Sequence, residues 1–178
     1  MWDFNVIATL SGGTGRYFQL IRELNRFGEF HKTEFLGVIL GRVAETAAFL
    51  RAIDEERRQG GLAELGRVVP LDGVFLLRPE TFTEQLQQAV LPYLEALSGK
   101  SFYVRLERRG HKGRIISPEV ERGLDAWILA ALERAGKSAR IDFEHPDAVL
   151  VVETVGDRCG IGLLAREELE RFDFVRVG

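Results

Sequence analysis

Residues 101–124 read SFYVRLERRGHKGRIISPEVERGL, three patterns in succession. SFYVRLE predicts a strand, because alternation sends Phe102 and Val104 to one face and Tyr103 and Arg105 to the other. A basic loop follows. Ser117 and Pro118 then stand at N-cap and first helical positions. Beyond them Val120, Leu124, Trp127, Ile128, Ala131 and Leu132 form one apolar helical face, which Gly136 ends. Within residues 101–116, Arg105, Arg108, Arg109, Lys112 and Arg114 stand against Glu107 alone. That is a net +4 in a chain of −3, which leaves −7 for the remainder. A solvated loop and a phosphate-binding segment both fit this charge, and its distribution matters more than its sum.

Downstream, DAVLVVETVGDRCGIGLL predicts a hairpin with the two-residue turn Gly156-Asp157. AREELERF reads as a short helix and DFVRV as a last strand. Upstream, PETFTEQLQQAVLPYLEALSG carries Phe82, Leu86, Val90, Tyr93 and Leu97 on a helical stripe, which Pro92 kinks or divides. The first part alternates strands and helices. WDFNVIATL places Phe4, Val6, Ala8 and Leu10 on one strand face, and a helix runs from about Arg16 to Phe27. Two strands joined near Lys32 and Thr33 lead to a helix from Ala44 to Gln59, stopped by Gly60 and Gly61. GRVVPLDGVFLL adds a strand and an extended exit. The order β-α-β-β-α-β is that of the ferredoxin-like motif. The expectation is an α+β chain: a ferredoxin-like domain over residues 1–78, then an α/β domain over residues 79–178.

The 178 residues, 46% hydrophobic and 29% charged, suit one large or two small globular domains. No apolar run approaches the roughly 20 residues that span a bilayer. MWDFNVIATL carries Asp3 and no Lys or Arg, so neither a signal nor a transit peptide is expected. With Cys159 as the single cysteine, an internal disulfide and a cysteine-based metal cluster are excluded, and a cytoplasmic location is expected.

TLSGGTGRYF, residues 9–18, raises the possibility of a phosphate-binding loop and hence of a nucleotide-using enzyme built on Ser11 to Gly15. A P-loop would continue Gly-Lys-Ser or Gly-Lys-Thr, and here Arg16-Tyr17 follows Gly15. The ATP-pyrophosphatase loop matches at Ser11, Gly12 and Gly13 and departs at Gly15 and Arg16. The dinucleotide fingerprint lacks its third glycine, since position 18 is Phe. In a ferredoxin-like unit this loop needs only a tight turn into its helix, and that is the preferred reading of the glycines. His31, His111 and His145 have no ligand-like spacing. Ser117 reads as a helix cap, and Cys159 as a buried thiol although Arg158 adjoins it. Asp142, Glu144 and Asp147 read as a cation loop or as a turn. No nucleophile, base and electrophile assemble, so neither catalysis nor a cofactor is expected.

The second half resembles a THUMP domain. The likeness rests on residues 101–124, on IDFEHPDAVLVVETVGDRCGIGL and on REELERFDFVRV, and covers roughly residues 80 to 178. Arg105 and Arg108 match the family's basic strand positions, Ser117 and Glu119 its helix start, and Ile141-Asp142-Phe143 its aliphatic-Asp step. Pro146-Asp147 and Val152-Glu153 match the last elements. The first half is similar to that of stand-alone THUMP proteins that assist a tRNA cytidine acetyltransferase. It carries Phe35, Gly37, Val38, Ile39, Leu40 and Arg42, then Arg67-Val68-Val69-Pro70.

The resemblance implies an RNA-binding protein that grips the acceptor stem and 3′ end of tRNA. With no catalytic domain recognised, it implies an adaptor for an RNA-modifying enzyme in trans. Arg105, Arg108, Arg109, His111, Lys112 and Arg114 are the candidate RNA-binding residues. A protein-interaction module without RNA binding is the remaining alternative.

Overall fold

The computed structural model describes residues 3–12 and 16–178, and these divide into two units. The first comprises residues 3–74 with Glu168–Val177, the second residues 75–167.

In the first unit the elements follow the β-α-β-β-α-β order expected from the sequence. The strands are β1 (Val6–Leu10), β2 (Glu29–Lys32), β3 (Val38–Arg42) and β4 (Leu65–Pro70), in the sheet order β2-β3-β1-β4. All neighbours are antiparallel. Central β1 buries Ile7 as fully as Val6 and Ala8, so it is apolar on both faces rather than on the one predicted. Helix α1 (Tyr17–Leu24) buries Leu20 and Leu24, and α2 (Thr46–Arg58) buries Phe49, Leu50 and Ile53. The Glu45 carboxylate caps α2 by accepting the N–H groups of Ala47 and Ala48 at 2.9 and 2.7 Å. A Cβ on Gly41 would stand 2.1 Å from the buried Phe30 ring, so glycine is required for that ring to pack.

In the second unit α3 (Phe82–Val90) and α4 (Leu94–Leu97) flank a 3₁₀ turn over Leu91–Tyr93, where Pro92 divides the predicted stripe. The strands of its sheet are β5 (Gly73–Leu76), which starts two residues before the unit boundary, β6 (Ser101–Glu107), β7 (Arg140–Ile141), β8 (Ala148–Val155) and β9 (Arg158–Ala165). They lie in the order β5-β9-β8-β6-β7, with β6 parallel to both β7 and β8. Helix α5 (Ser117–Arg134) connects β6 to β7. Leu124, Ile128 and Leu132 from α5 and Leu86 and Val90 from α3 join Phe102, Val104 and Leu106 of β6 in one core. Burying each such side chain contributes about 1.5–3 kcal/mol. β8 is buried along its whole length, and its hairpin to β9 turns at Gly156-Asp157 as predicted.

Three expectations change. The chain enters α5 in extended conformation through Ile116, so Ile116 is the N-cap, and Ser117, the first helical residue, gives no side-chain cap. DFVRV is not a strand: after α6 (Arg166–Arg171), Phe174 and Val175 are buried, and Phe174 accepts the Val68 N–H at 2.8 Å. The unit boundary falls between Val74 and Phe75, and Glu168–Val177 joins the first unit rather than the second. β5 explains the first shift, because the exit segment belongs to the second sheet.

Candidate nucleic-acid interface

β6 delivers the chain into the loop 108–116, and hydrogen bonds tie that loop to the β8–β9 turn. The Gly156 N–H donates to the Arg109 carbonyl at 3.0 Å, and the Arg109 N–H donates to Thr154 Oγ1 at 2.9 Å. His111 Nε2 donates to the Gly156 carbonyl at 2.9 Å. Gly110, with φ +96°, brings its backbone against Gly156, where a Cβ would stand 3.4 Å from the Gly156 Cα. The loop closes when the N–H groups of Arg114 and Ile115 donate to the His111 carbonyl at 3.0 and 3.1 Å. Backbone hydrogen bonds, with the Thr154 and His111 side chains, therefore fix the loop without its lysine.

The six sequence-predicted residues divide by environment. Arg109 turns inward: its Nη1 lies 2.6 Å from Glu153 Oε2, with side chains only 11% and 3% exposed. His111 is half-buried on the hairpin turn. Arg108 is half-buried, and its Nη1 donates to the Gly110 carbonyl. Lys112 is exposed. Arg114, also exposed, pairs with Glu80 at the surface. Hydrogen bonds from the Glu80 backbone N–H and then from Arg114 hold the Glu80 carboxyl below its ordinary range.

Arg105 lies away from the loop, at the edge of β6. β7 pairs with β6 only at Ser101 and Phe102, so the edge beyond Phe102 has no neighbouring strand. Helix α5 supplies the missing acceptors. Asp125 Oδ1 accepts the Val104 N–H at 2.9 Å, and one turn earlier Glu121 Oε1 accepts the Leu106 N–H at 2.8 Å. Arg105 approaches Glu121 at 3.9 Å and lies over the Tyr103 ring at 5.7 Å. Its Nε is buried with no hydrogen-bond partner. Phe143 lies against Tyr103, with ring centroids 5.3 Å apart and planes tilted by 42°, while remaining 67% exposed. These groups surround a cavity of about 260 Å³. Burial, opposed by the Val104 hydrogen bond and assisted by Glu121, pushes the Asp125 carboxyl up to about 6.

The sequence placed Tyr103 on the strand face of Arg105, but its patterns did not join Glu121, Asp125 and Phe143 to this cluster. The available signal was Asp125 inside an otherwise apolar helical pattern. Other candidates have structural roles. Cys159 is buried, and burial followed by Glu153 pushes its thiol up. Asp142 Oδ1 accepts the N–H groups of Glu144 and His145 at 3.0 and 2.9 Å. Asp147 Oδ2 accepts the Ser101 N–H and hydroxyl, and its Oδ1 pairs with Arg166. Among the described residues no three His, Cys, Asp or Glu side chains gather at one point. Of the opening glycine loop, Gly13, Thr14 and Gly15 lie outside the described residues. Among those described, no helix is long and apolar enough to cross a membrane.

Residues 80–164 match the family model of the THUMP domain. The match stops before REELERFDFVRV, which the sequence likeness had included. The tRNA sulfurtransferase of Salmonella arizonae is 32% identical over 112 residues, 61% of this chain and 22% of the relative. The tRNA sulfurtransferase of Salmonella newport gives the same figures. The chain thus spans about 22% of the length of these curated relatives. TrmN from Thermus thermophilus is similar in structure, with a TM-score of 0.62 and 22% identity, over 89% of this chain and 45% of that one. A Pyrococcus horikoshii protein aligns with a TM-score of 0.63 and 13% identity, over 92% and 55%. A 4-thiouridine synthetase crystallised with RNA and bound ATP aligns with a TM-score of 0.55 and 18% identity, over 92% and 40%. At these identities the likeness is one of fold.

Proposed function

We propose that the chain binds tRNA through its THUMP domain, at the acceptor stem and 3′ end, as a non-catalytic adaptor for an RNA-modifying enzyme in trans. A cytidine acetyltransferase is the enzyme class favoured by the first-half sequence likeness. The observation that carries the reading is a hydrogen-bonded loop presenting Arg108, Lys112 and Arg114 at the end of β6. Backbone ties fix their spacing, so less ordering entropy opposes phosphate binding. Arg109 and His111 hold the loop rather than the RNA. Two likenesses support the choice of ligand: relatives named tRNA sulfurtransferase and a structural neighbour crystallised with RNA. The first unit, ferredoxin-like in its strand order, serves as the preceding platform. The cytoplasm, where tRNA is modified, is the proposed location.

Fluorescence anisotropy with bulk tRNA, intact and trimmed at its 3′ end, tests this reading. Three loop cations on single-stranded RNA predict that log K falls against log salt with a slope of about −2. Trimming weakens the binding. Absence of binding at low salt overturns the proposal. Pull-down of a modifying enzyme from the native host tests the adaptor role, and recovery of none counts against it.

A further inference from the structure

The cavity at the β6 edge has a composition the loop lacks: an exposed ring, a buried carboxylate and an arginine donor without a partner. We infer that it receives a single unstacked RNA base carrying an exocyclic amino group, cytosine or adenine, laid on Phe143 and addressed along its edge by Asp125 and Arg105. This rests on the RNA-binding reading above and adds a specificity site to it.

Four observations converge. The first excludes an added peptide strand. Such a strand needs the free N–H groups of the β6 edge, and Asp125 and Glu121 already accept those of Val104 and Leu106. Second, the volume of about 260 Å³ lies below the roughly 300–1,000 Å³ of drug-sized sites, which suits one planar base. Third, Phe143 is 67% exposed yet rests on Tyr103, so a π-face is held ready for stacking. Fourth, the edge-reading groups are incomplete as they stand. Arg105 Nε is buried and unpartnered, while Oδ1 of Asp125 is engaged by Val104. The second Asp125 oxygen can accept an amino hydrogen, as carboxylates do from cytosine N4. With its carboxyl pushed up only to about 6, Asp125 is mostly ionised at neutral pH and available as an acceptor. Arg122 lies at the same cavity, where it can meet the adjoining phosphate.

The test uses the full chain and a short RNA hairpin whose single-stranded 3′ extension carries a fluorescent aminopurine at one position at a time. Stacking on Phe143 quenches the probe at one position of the extension. Phe143→Ala abolishes that quench and weakens binding about tenfold, ~1.4 kcal/mol, within the range for loss of one base–aromatic stack. Phe143→Trp retains it. With unlabelled extensions, cytosine at that position binds several-fold better than uracil. Asp125→Asn turns the free oxygen into a donor and removes or reverses the preference. Phe143 is exposed, so its variants fold, which unchanged thermal melting verifies. If the unaltered chain binds no RNA, the functional reading and this site fail together. If it binds, and neither the quench nor the base preference responds to the variants, the cavity proposal alone is overturned.

Discussion

The basic loop and the open edge of β6 bury carboxylates in opposite circumstances. Glu153, beneath the loop, has the Arg109 guanidinium at 2.6 Å, and both side chains are nearly closed to solvent. Asp125, at the edge, has a peptide N–H as its direct partner, and the nearby Glu121 disfavours its charge. A buried charge with a matched ion belongs to the fold, because separating the pair costs more than any ligand readily returns. A buried carboxyl without a counter-ion carries a raised pKa and unused acceptor capacity, the usual marks of a site. The comparison finds Arg109, which the sequence offered as an RNA contact, in a buried ion pair, and Asp125, which the sequence did not single out, buried without one.

The largest effect should come from breaking the paired side. Arg109→Ala leaves Glu153 buried without its cation and should cost about 3–5 kcal/mol of stability, read as a lowered urea midpoint. Arg109→Met combined with Glu153→Leu should recover most of that loss, since apolar replacement of both partners removes the stranded charge. An unchanged midpoint for Arg109→Ala, with tRNA binding lost, would return Arg109 to the interface and break the comparison.

How far this was legible in sequence follows from the range of each interaction. SFYVRLE, the Gly156-Asp157 turn and the Pro92 break declared themselves through period and punctuation, which are local. Arg108 and Arg109 are neighbours of one chemistry, and what separates them is a carboxylate 44 residues beyond Arg109. No spacing rule reaches that far. β7, two residues long, is too short to show alternation, yet its early end leaves the edge that Asp125 and Glu121 cap. DFVRV alternates as a strand should. Its apolar residues are nonetheless held by packing, with Arg57 lying over Phe174 at 5.6 Å.

A middle-sized effect tests the unpaired side. The Asp125 carboxyl rises from 3.8 to about 6 in the folded chain, so folding binds its proton more tightly than the unfolded state does. The stability this gives is full below about pH 4 and is lost as pH rises through about 6, a loss of about 3 kcal/mol. Asp125→Asn keeps the acceptor for Val104 and cannot ionise. It should therefore be about 1–2 kcal/mol more stable than the unaltered chain at pH 8, after the cost of burying its amide N–H groups. At pH 4 it should have no advantage. Parallel urea midpoints for the two proteins across that interval would remove the contrast with Glu153.

The smallest effect on folding belongs to the outer side of the loop, and there the reading of binding is sharpest. Lys112 is exposed, and the loop's hydrogen bonds run through Arg109, Gly110, His111 and Gly156. Lys112→Ala should thus shift stability by less than about 0.5 kcal/mol. If Lys112 neutralises a phosphate, the same substitution should reduce the salt slope of tRNA binding by about 0.7. A paired inner residue behaves otherwise: the Arg109→Met, Glu153→Leu double variant should keep the slope while altering stability. Measuring both quantities on both proteins separates a cation that holds the loop from one that holds RNA. Equal slope changes in the two would mean that burial does not sort these side chains, and that the loop engages RNA only after opening around Arg109.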